Sequence, residues 1–351
     1  MLVRCGAPVS LTLFHQDNAD NRAVLRACTT LGGGFRPRPW ARNAHAQIGL
    51  LLQHEQASPR IGWDRVERLE MTDGGVVSLQ WLGSEDRDGP VALLMPTITG
   101  DGDALRDLVR HLRATLGWTV VICNRRGHAG VPLTTPRFNT MGDVADLRAQ
   151  IAHVRSVRPE AALFAIGVSA GSGLLARYLG ETPDTPVVAA AMHCPGYDLE
   201  SLFDHAHPLY SRLMARRVQR YFLEANADVL GDHPDYEACV TSRDLAELHR
   251  RAHGLAGFAT RAEFLRASNP MGVAHDITIP MLVLNAEDDP VCNIRIVDRA
   301  RRSLVDALPH GILAITRWGS HCAHLYGVRR RTSWANRVLT EYVGVQAELA
   351  T

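Results

Sequence analysis

A serine placed between two glycines is the first feature of this sequence that could do chemistry. Gly167, Ser169 and Gly171 form a Gly-x-Ser-x-Gly pattern, with the apolar run 162–166 before it and an apolar stretch of helical spacing after it. Glycine has no Cβ, so the pattern permits a sharp turn from a strand into a helix that lifts the serine hydroxyl into a cleft. In this context the pattern predicts a nucleophilic Ser169 rather than an ordinary glycine-rich turn.

A serine hydroxyl becomes a strong nucleophile only when a base takes its proton and a carboxylate orients that base. After Ser169, the apolar run 281–284 leads into the sequence Asn-Ala-Glu-Asp-Asp-Pro-Val at residues 285–291. A carboxylate here would lie at the carboxyl end of a strand, where α/β sheets build their sites. Asp289, which directly precedes the proline, is the predicted orienting acid, and Asp288 is the alternative.

The predicted base lies in a loop after the last apolar run of the chain, 312–315. Both His321 and His324 follow this run. Gly319 and Ser320 permit a tight turn directly before His321, so His321 is the predicted base and His324 is the alternative. The resulting order of serine, aspartate and histidine along the chain is one in which this chemistry is known to occur.

Attack of the serine on a carbonyl group produces an oxyanion, which needs N–H donors that already point at it. One donor normally comes from the residue after the nucleophile, here Ala170, and the other comes from the loop after an early strand. That loop is residues 95–100, in which Pro96 has no N–H group. Ile98 is the predicted second donor, and Thr99 is the fallback.

Other residue clusters predict neither a metal site nor a cofactor site. His249 and His253 have i, i+4 spacing in a predicted helix, but no third ligand is evident. The sequence has no phosphate-binding glycine loop and no zinc-peptidase motif. The cysteines include no Cys-x-x-Cys pair, which indicates free thiols in a reducing compartment. They are Cys5, Cys28, Cys123, Cys194, Cys239, Cys292 and Cys322.

The composition narrows the class of function further. The chain has 351 residues, and 38 basic against 37 acidic residues give a formal charge of +1. This balance provides no field that favours nucleic acid, so nucleic acid is not an expected partner. All basic residues are arginine, which excludes mechanisms that form a Schiff base on lysine.

The elements that must position these residues follow from short, unbroken apolar runs separated by helical stretches. Strands of this type are covered by helices on both faces, so the sequence predicts an α/β fold with a mainly parallel central sheet. Two further runs that flank Asp-Gly, 66–71 and 76–81, predict a β-hairpin. The apolar runs that predict the sheet are 91–95, 119–123, 162–166, 187–192, 281–284 and 312–315.

We expect three regions along the chain. Residues 1–55 are predicted to be an irregular leader that packs on the core, because its prolines favour an extended segment. Residues 56–199 and 271–345 are predicted to form the α/β core. Residues 200–270 interrupt the rhythm of strands and are predicted to form a helical cap inserted into that core.

The cap sequence predicts an amphipathic helix, which we interpret as a lid over an apolar acyl pocket. Its arginines either touch a lipid surface or form an ordinary solvated face. The N-terminal apolar run is too short to span a bilayer, so we expect a soluble, cytoplasmic protein, with peripheral membrane contact as an open alternative. The predicted apolar stripe is Leu209, Leu213, Met214, Val218, Tyr221 and Phe222, and the arginines are Arg212, Arg216, Arg217 and Arg220.

Several motifs resemble one family of the α/β-hydrolase superfamily, the AB-hydrolase or YheT-like family. The eukaryotic abhydrolase domain-containing proteins one, two, three and fifteen share these motifs, and the Gly-Ser-Gly after the nucleophile most resembles fifteen. The resemblance covers most of residues 35–340. The motifs are Asn-Arg-Arg-Gly-His-Ala-Gly at 124–130, Gly-Asp at 142–143, the strand and turn at 163–169, and Asn-Ala-Glu-Asp-Asp-Pro-Val at 285–291.

The resemblance implies an α/β-hydrolase fold and a catalytic triad of Ser169, Asp289 and His321. It also implies hydrolysis of carboxylic esters, often acylglycerols or phospholipids. The oxyanion loop of similar proteins reads His-Pro-Gly-Leu-Thr-Gly, and here Met95 and Thr97 replace its histidine and first glycine.

The sequence leaves three hypotheses for the function. The first is a serine hydrolase that cleaves short- to medium-chain acyl esters, including acylglycerols or phospholipids, through an acyl-enzyme on Ser169. The second is a catalytically weak or inactive scaffold that binds a protein partner, which the altered oxyanion loop favours. The third is an acyltransferase that uses the same triad with an acceptor other than water.

Overall fold

Nine strands form one sheet, and their order across it is β1-β9-β8-β7-β6-β4-β5-β3-β2. The computed structural model describes residues 10–84, 89–327 and 333–350, so Cys5 and most of the N-terminal run considered above lie outside the described residues. The strands are β1 (Leu11–His15), β2 (Arg65–Glu70), β3 (Val76–Leu82), β4 (Val91–Met95), β5 (Thr119–Asn124), β6 (Leu163–Val168), β7 (Val187–His193), β8 (Met281–Ala286) and β9 (Gly311–Thr316).

The central part of this sheet is parallel, as the sequence predicted. Strand β4 pairs in parallel with β5 and β6, and the pairs β6–β7, β7–β8 and β8–β9 are also parallel. Strands β1, β2 and β3 pair antiparallel with their neighbours at the two edges. Every residue of β4, β5, β6, β8 and β9 is buried, which explains their continuous apolar sequences.

Helices cover both faces of the sheet. One face packs on α5, α6, α13 and the cap, and the other face packs on α1, α2, α4 and α14. The helices of the core are α1 (Ala19–Ala27), α2 (Thr29–Gly32), α3 (Ala44–Ala57), α4 (Arg106–Leu116), α5 (Val144–Val157), α6 (Ala170–Gly180), α13 (Ile294–Ala307) and α14 (Trp334–Ala350). The helices between β7 and β8 are α7 (Leu199–Leu202), α8 (Pro208–Val218), α9 (Ala227–Leu230), α10 (Tyr236–Val240), α11 (Leu245–Arg251) and α12 (Arg261–Ser268).

The parallel register brings five functional loops to one edge of the sheet. Met95 at the end of β4 pairs with Gly167 of β6, and Val168 pairs with His193 at the end of β7. On the other side of β7, the ends of β8 and β9 are in register. The loops after β4, β6, β7, β8 and β9 therefore open together at the carboxyl edge.

The leader is not irregular over its described residues, 10–55, which corrects the prediction of an irregular leader over residues 1–55. Strand β1 pairs antiparallel with β9 over its whole length and buries Leu11 and Leu13. Helix α3 begins after Asn43, whose side chain accepts hydrogen bonds from two backbone N–H groups of the first turn. The prediction was based on the prolines, and residues 34–38 do lack regular structure. The prolines give no information about the short strand before them and the capped helix after them.

The region between β7 and β8 is helical, and its predicted apolar stripe is wrong. Leu209 and Leu213 are about half exposed, whereas Val218 and Phe222 are buried. At 3.6 residues per turn Leu209 lies about 180° around the helix from Val218, so the two cannot share a face. The chain then enters a π-helical turn over Gln219–Leu223, which changes the register of the residues that follow.

Candidate active site

Ser169 occupies a strained turn between β6 and α6. Its φ and ψ angles are 53° and −118°, a conformation that non-glycine residues rarely adopt. The backbone N–H of Ser169 donates to the His193 carbonyl at 2.8 Å, which fixes the turn on β7. A Cβ on Gly171 would lie 2.1 Å from the Met95 carbonyl oxygen, so the glycine permits close approach of the helix to the loop after β4. The local sequence therefore explains how the hydroxyl is presented.

The structure brings three of the predicted site residues into one hydrogen-bonded chain. Ser169 Oγ lies 2.8 Å from His321 Nε2. His321 Nδ1 in turn lies 2.8 Å from Asp289 Oδ2. This geometry fits a tautomer in which Nδ1–H donates to the carboxylate and Nε2 accepts the serine proton.

The two adjacent carboxylates have different partners. Asp289 is almost completely buried, and its Oδ1 accepts the backbone N–H groups of Val291 and Cys292 at 2.8 Å each. Asp288 instead accepts the backbone N–H of Ser320 at 2.8 Å. Burial, together with the charge of Asp289, raises the pKa of Asp288 to about 6. Asp289, the predicted acid, is therefore the carboxylate that contacts His321.

The alternative base, His324, lies in the core beneath the site. Its Nδ1 is 3.1 Å from His193 Nε2, and its Nε2 is 2.9 Å from the hydroxyl of Thr316. Burial lowers the pKa of His324 to about 3, so this ring stays neutral. A Cβ on Gly319 would lie 2.3 Å from the His324 ring, which means that the loop before His321 folds directly over it.

The predicted oxyanion donors lie in two segments next to Ser169. Ala170 is the first residue of α6, and Ile98 follows β4 in a loop that lines the cavities at the serine. Within the described part of the chain, the backbone N–H groups of Ala170, Ile98 and Thr99 donate no backbone hydrogen bond. Thr99 therefore remains an alternative to Ile98 as the second donor.

Two buried side chains that the sequence reasoning did not assign hold this loop. Arg125 Nη1 donates to the Pro96 carbonyl at 3.0 Å, and Nη2 donates to the Thr97 carbonyl. The Nε2 atom of His128 lies 3.1 Å from the Ile98 carbonyl. In a planar trans peptide the N–H points opposite to the carbonyl, so the contact to Thr97 also orients the Ile98 N–H. The motif at 124–130 contained both residues, but only their spatial contacts reveal this role.

Two cavities meet at Ser169. The smaller, with about 440 Å³ of empty space, is apolar and extends under the cap. The larger, with about 990 Å³, also borders His321 and includes polar side chains from α3, α4 and α8. Residues that line the smaller cavity include Met141, Leu199, Leu202, Phe203, Met214 and Val291, and polar residues of the larger include His54, Glu55, Asp107, Arg217 and Asn336.

One member of the histidine pair considered as a metal site, His249, has other partners. His249 is buried, and its two ring nitrogens contact the Thr140 hydroxyl at 2.8 Å and the Leu245 carbonyl at 2.9 Å. The ring also stacks on Phe203. His249 is therefore a core residue of the cap.

The comparisons with known proteins agree with this geometry. A sequence profile of the family described as serine aminopeptidase, S33, matches residues 100–316, which include Ser169 and Asp289 and end before His321. The chain belongs to this family of α/β-hydrolases. The α/β-hydrolase fold that the sequence resemblance implied is thereby confirmed.

Three curated relatives cover most of the chain. Phospholipase ABHD3 of Mus musculus is 27% identical over 93% of this chain and 82% of its own length. Protein ABHD15 of Homo sapiens is 28% identical over 91% of this chain and 69% of its own length. Monoacylglycerol lipase ABHD2 of Mus musculus is 22% identical over 97% and 88%. Together with the family, they confirm the general prediction of a carboxylic ester hydrolase.

A solved structure supports the fold alone. A protein with unknown function from Staphylococcus aureus superposes with a TM-score of 0.54 at 11% identity, over 82% of this chain and 100% of its own. In the described ranges, we find no helix that combines the length and the apolar character needed to cross a membrane.

Proposed function

We propose that this chain hydrolyses carboxylic esters through a covalent acyl-enzyme on Ser169. The observation that carries the proposal is the unbroken path of two 2.8 Å contacts from Ser169 Oγ through His321 to Asp289. Such a path supplies a base within reach of the nucleophile and an acid that orients the base.

Acylation follows from this arrangement. His321 Nε2 takes the proton of Ser169 as Oγ bonds to the ester carbonyl carbon, and Asp289 stabilises the imidazolium that forms. The N–H groups of Ala170 and Ile98 donate hydrogen bonds to the carbonyl oxygen and stabilise the negative charge that develops on it. The carbon–oxygen bond to the alcohol then breaks, and His321 returns the proton to the departing alkoxide.

Deacylation repeats these steps with water. His321 removes a proton from a water molecule, whose oxygen bonds to the acyl carbon. The bond to Ser169 Oγ then breaks, and the serine regains its proton from His321. The products are a carboxylic acid and the free enzyme.

The two cavities favour an ester with one apolar and one polar side. The apolar cavity favours an acyl chain as its occupant, because its lining offers hydrocarbon contacts and few polar groups. The larger cavity favours the polar alcohol portion, because polar side chains contribute to its lining. The relatives named phospholipase and monoacylglycerol lipase favour an acylglycerol or a phospholipid.

The outer face of α8 favours contact with lipid aggregates. Leu209 and Leu213 are about half exposed on this face, and Tyr221 is exposed just beyond the helix. Met214 and Arg217 of the same helix line the larger cavity. We propose that this face rests on a lipid surface while an ester enters the cavity.

The altered oxyanion loop favours a second candidate, a scaffold with little activity that binds a protein partner. In that case Met95 and Thr97 would leave the oxyanion without well-placed donors. An acyltransferase would differ from the hydrolase only in the acceptor that attacks the acyl-enzyme.

Rapid mixing with p-nitrophenyl butyrate separates these candidates. We expect a burst of p-nitrophenol equal to the enzyme concentration, and mass spectrometry of the quenched protein should locate one butyryl group on Ser169. Ser169→Ala should give no burst. The matched control is Ser172→Ala, which removes the hydroxyl of the neighbouring buried serine and should keep the burst. Hydrolysis that persists in Ser169→Ala, or a folded wild type that releases no p-nitrophenol, would contradict the proposal. Added alcohols that accelerate turnover would favour acyl transfer.

A further inference from the structure

Three cysteines that are far apart in the sequence meet beside His321. Cys194 directly follows β7, Cys292 follows β8, and Cys322 is the residue after His321. The backbone N–H of Cys322 donates to Cys194 Sγ at 3.3 Å, and Cys292 Sγ donates to the Cys194 carbonyl at 3.4 Å. All three are free thiols. The reaction proposed above uses none of them.

Two of these thiols and the histidine form a group with the chemistry of a metal site. The Sγ atoms of Cys194 and Cys322 and one ring nitrogen of His321 all lie within 4.8 Å of one another. Two thiolates and an imidazole are ligands that Zn²⁺ prefers, and small side-chain movements bring them to bonding distances of about 2.0 to 2.3 Å. We propose that Cys194, His321 and Cys322 bind a thiophilic divalent cation such as Zn²⁺, and that this cation inhibits the enzyme.

A second group near the same histidine is a poorer site. Asp289, Cys292 and His321 also place one ligand atom each within 4.8 Å. However, the carboxylate of Asp289 already accepts two backbone N–H groups and contacts His321. Binding a cation there would disturb these hydrogen bonds, whereas the two thiols of the first group donate only weak, long hydrogen bonds.

The proposed site can be reached from the larger cavity. His321 and Cys322 both line this cavity and are partly exposed, so they offer the first two ligands to an entering ion. Cys194 lies fully buried behind them and supplies the third ligand. A water molecule from the cavity can complete the tetrahedral geometry that zinc prefers.

Inhibition follows from the hydrogen bonds that His321 already makes. Nδ1 is bonded to Asp289 and Nε2 to Ser169, so a cation on either nitrogen breaks one link of the triad. Binding also releases the two thiol protons to solvent, because the thiolates are the ligands. The inhibitory effect rests on the proposed function, whereas the binding itself does not.

Binding is tested on the Ser169→Ala protein with Cd²⁺, whose bonds to thiolate sulphur absorb in the ultraviolet. We expect one Cd²⁺ per chain with this absorption, displaced by Zn²⁺. Cys194→Ser and Cys322→Ser should each weaken binding at least about tenfold, because each removes one of three ligands. The control is Cys123→Ala, which removes a buried thiol of β5 and should leave binding unchanged. The proposal would be overturned if adding Cys322→Ser to the Ser169→Ala protein left the affinity for Cd²⁺ unchanged. It would also be overturned if bound Cd²⁺ gave no thiolate absorption.

Inhibition is tested with Zn²⁺ on otherwise wild-type enzyme and on the cysteine variants. Each variant is compared with its own activity without metal, so a change in basal rate does not affect the result. We expect Zn²⁺ to inhibit the wild type and the Cys123→Ala control alike, with recovery after chelation, and to need at least about tenfold higher concentrations for Cys322→Ser. Unchanged sensitivity in Cys322→Ser would overturn the inhibitory role. An inactive wild type that still binds Cd²⁺ through the two cysteines would contradict only the proposed function.

Discussion

Asp288 accepts a hydrogen bond from the backbone N–H of Ser320 at 2.8 Å, directly before His321 in the chain. This contact ties the loop after β8 to the loop after β9. Its neighbour Asp289 contacts the imidazole of His321 itself. The two adjacent carboxylates therefore have separate contacts: one holds the turn, and the other is hydrogen-bonded to the ring of the predicted base.

Substitution of the two carboxylates by amides distinguishes these tasks. Asp289→Asn should lower kcat by on the order of 10⁴, because an amide cannot hold the imidazole in the required tautomer. Asp288→Asn keeps an oxygen that can accept the Ser320 N–H, so we expect a loss of less than about tenfold. Steady-state kinetics with a p-nitrophenyl ester measures both. The reverse ranking of the two variants would assign the orienting acid to Asp288.

The raised pKa of Asp288 predicts a pH dependence of stability. Its pKa of about 6 in the folded chain exceeds the ordinary value of 3.8, so the folded state favours the protonated carboxyl. The associated stability is complete below about pH 4 and is lost as the pH rises to about 6. We therefore expect the unfolding free energy of Asp288→Asn, relative to wild type, to increase by about 1 to 2 kcal/mol between pH 4 and pH 7 in urea titrations. If the difference in unfolding free energy between Asp288→Asn and wild type stays constant from pH 4 to pH 7, the raised pKa of Asp288 is contradicted.

Two glycines of α6 provide a matched pair for the packing behind the nucleophile. A Cβ on Gly171 would meet the Met95 carbonyl at 2.1 Å, whereas one on Gly173 would meet nothing nearer than 3.9 Å. Gly171→Ala should destabilise the fold by about 1 to 3 kcal/mol or more, because a backbone group must move. Gly173→Ala should be neutral or slightly stabilising in urea unfolding, since alanine favours a helix. Equal stabilities of the two variants would argue against this packing.

Arg125 is predicted to position the oxyanion loop. Arg125→Met removes the donors to the Pro96 and Thr97 carbonyls, so we expect kcat to fall about 100-fold with little change in KM. The matched control is Arg158→Met, since Arg158 is also buried but donates to Thr119 and Gly89, at the opposite edge of the sheet. The control should lose stability without this specific loss of kcat. If both variants lose activity in proportion to their loss of stability, Arg125 has only a structural role.

The sequence was sufficient for the features in which one local pattern carries the information. The Gly-x-Ser-x-Gly turn follows a buried strand, and the predicted acid and base follow β8 and β9, so chain order alone placed Ser169, Asp289 and His321 at one edge. Short edge elements such as β1 were missed, because five residues that pair with β9 carry no distinctive pattern.

Contacts between distant segments were beyond any reading of local pattern. Cys322 and Cys194 are 128 residues apart, and their proximity depends on the register of β7, β8 and β9. The contacts from Arg125 to the loop after β4 likewise require the parallel pairing of β4 and β5. The sequence could place such residues at the correct edge of the sheet, but not beside each other.

Covalent labelling with a fluorophosphonate probe tests the activated serine most directly, because it requires no knowledge of the natural ester. We expect the wild type and Ser172→Ala to label, Ser169→Ala not to label, and His321→Ala and Asp289→Asn to label far more slowly. His324→Gln should still label, since His324 contacts His193 and Thr316 rather than Ser169. A folded wild type that does not label, or a Ser169→Ala protein that labels like wild type, would contradict an activated nucleophile at Ser169.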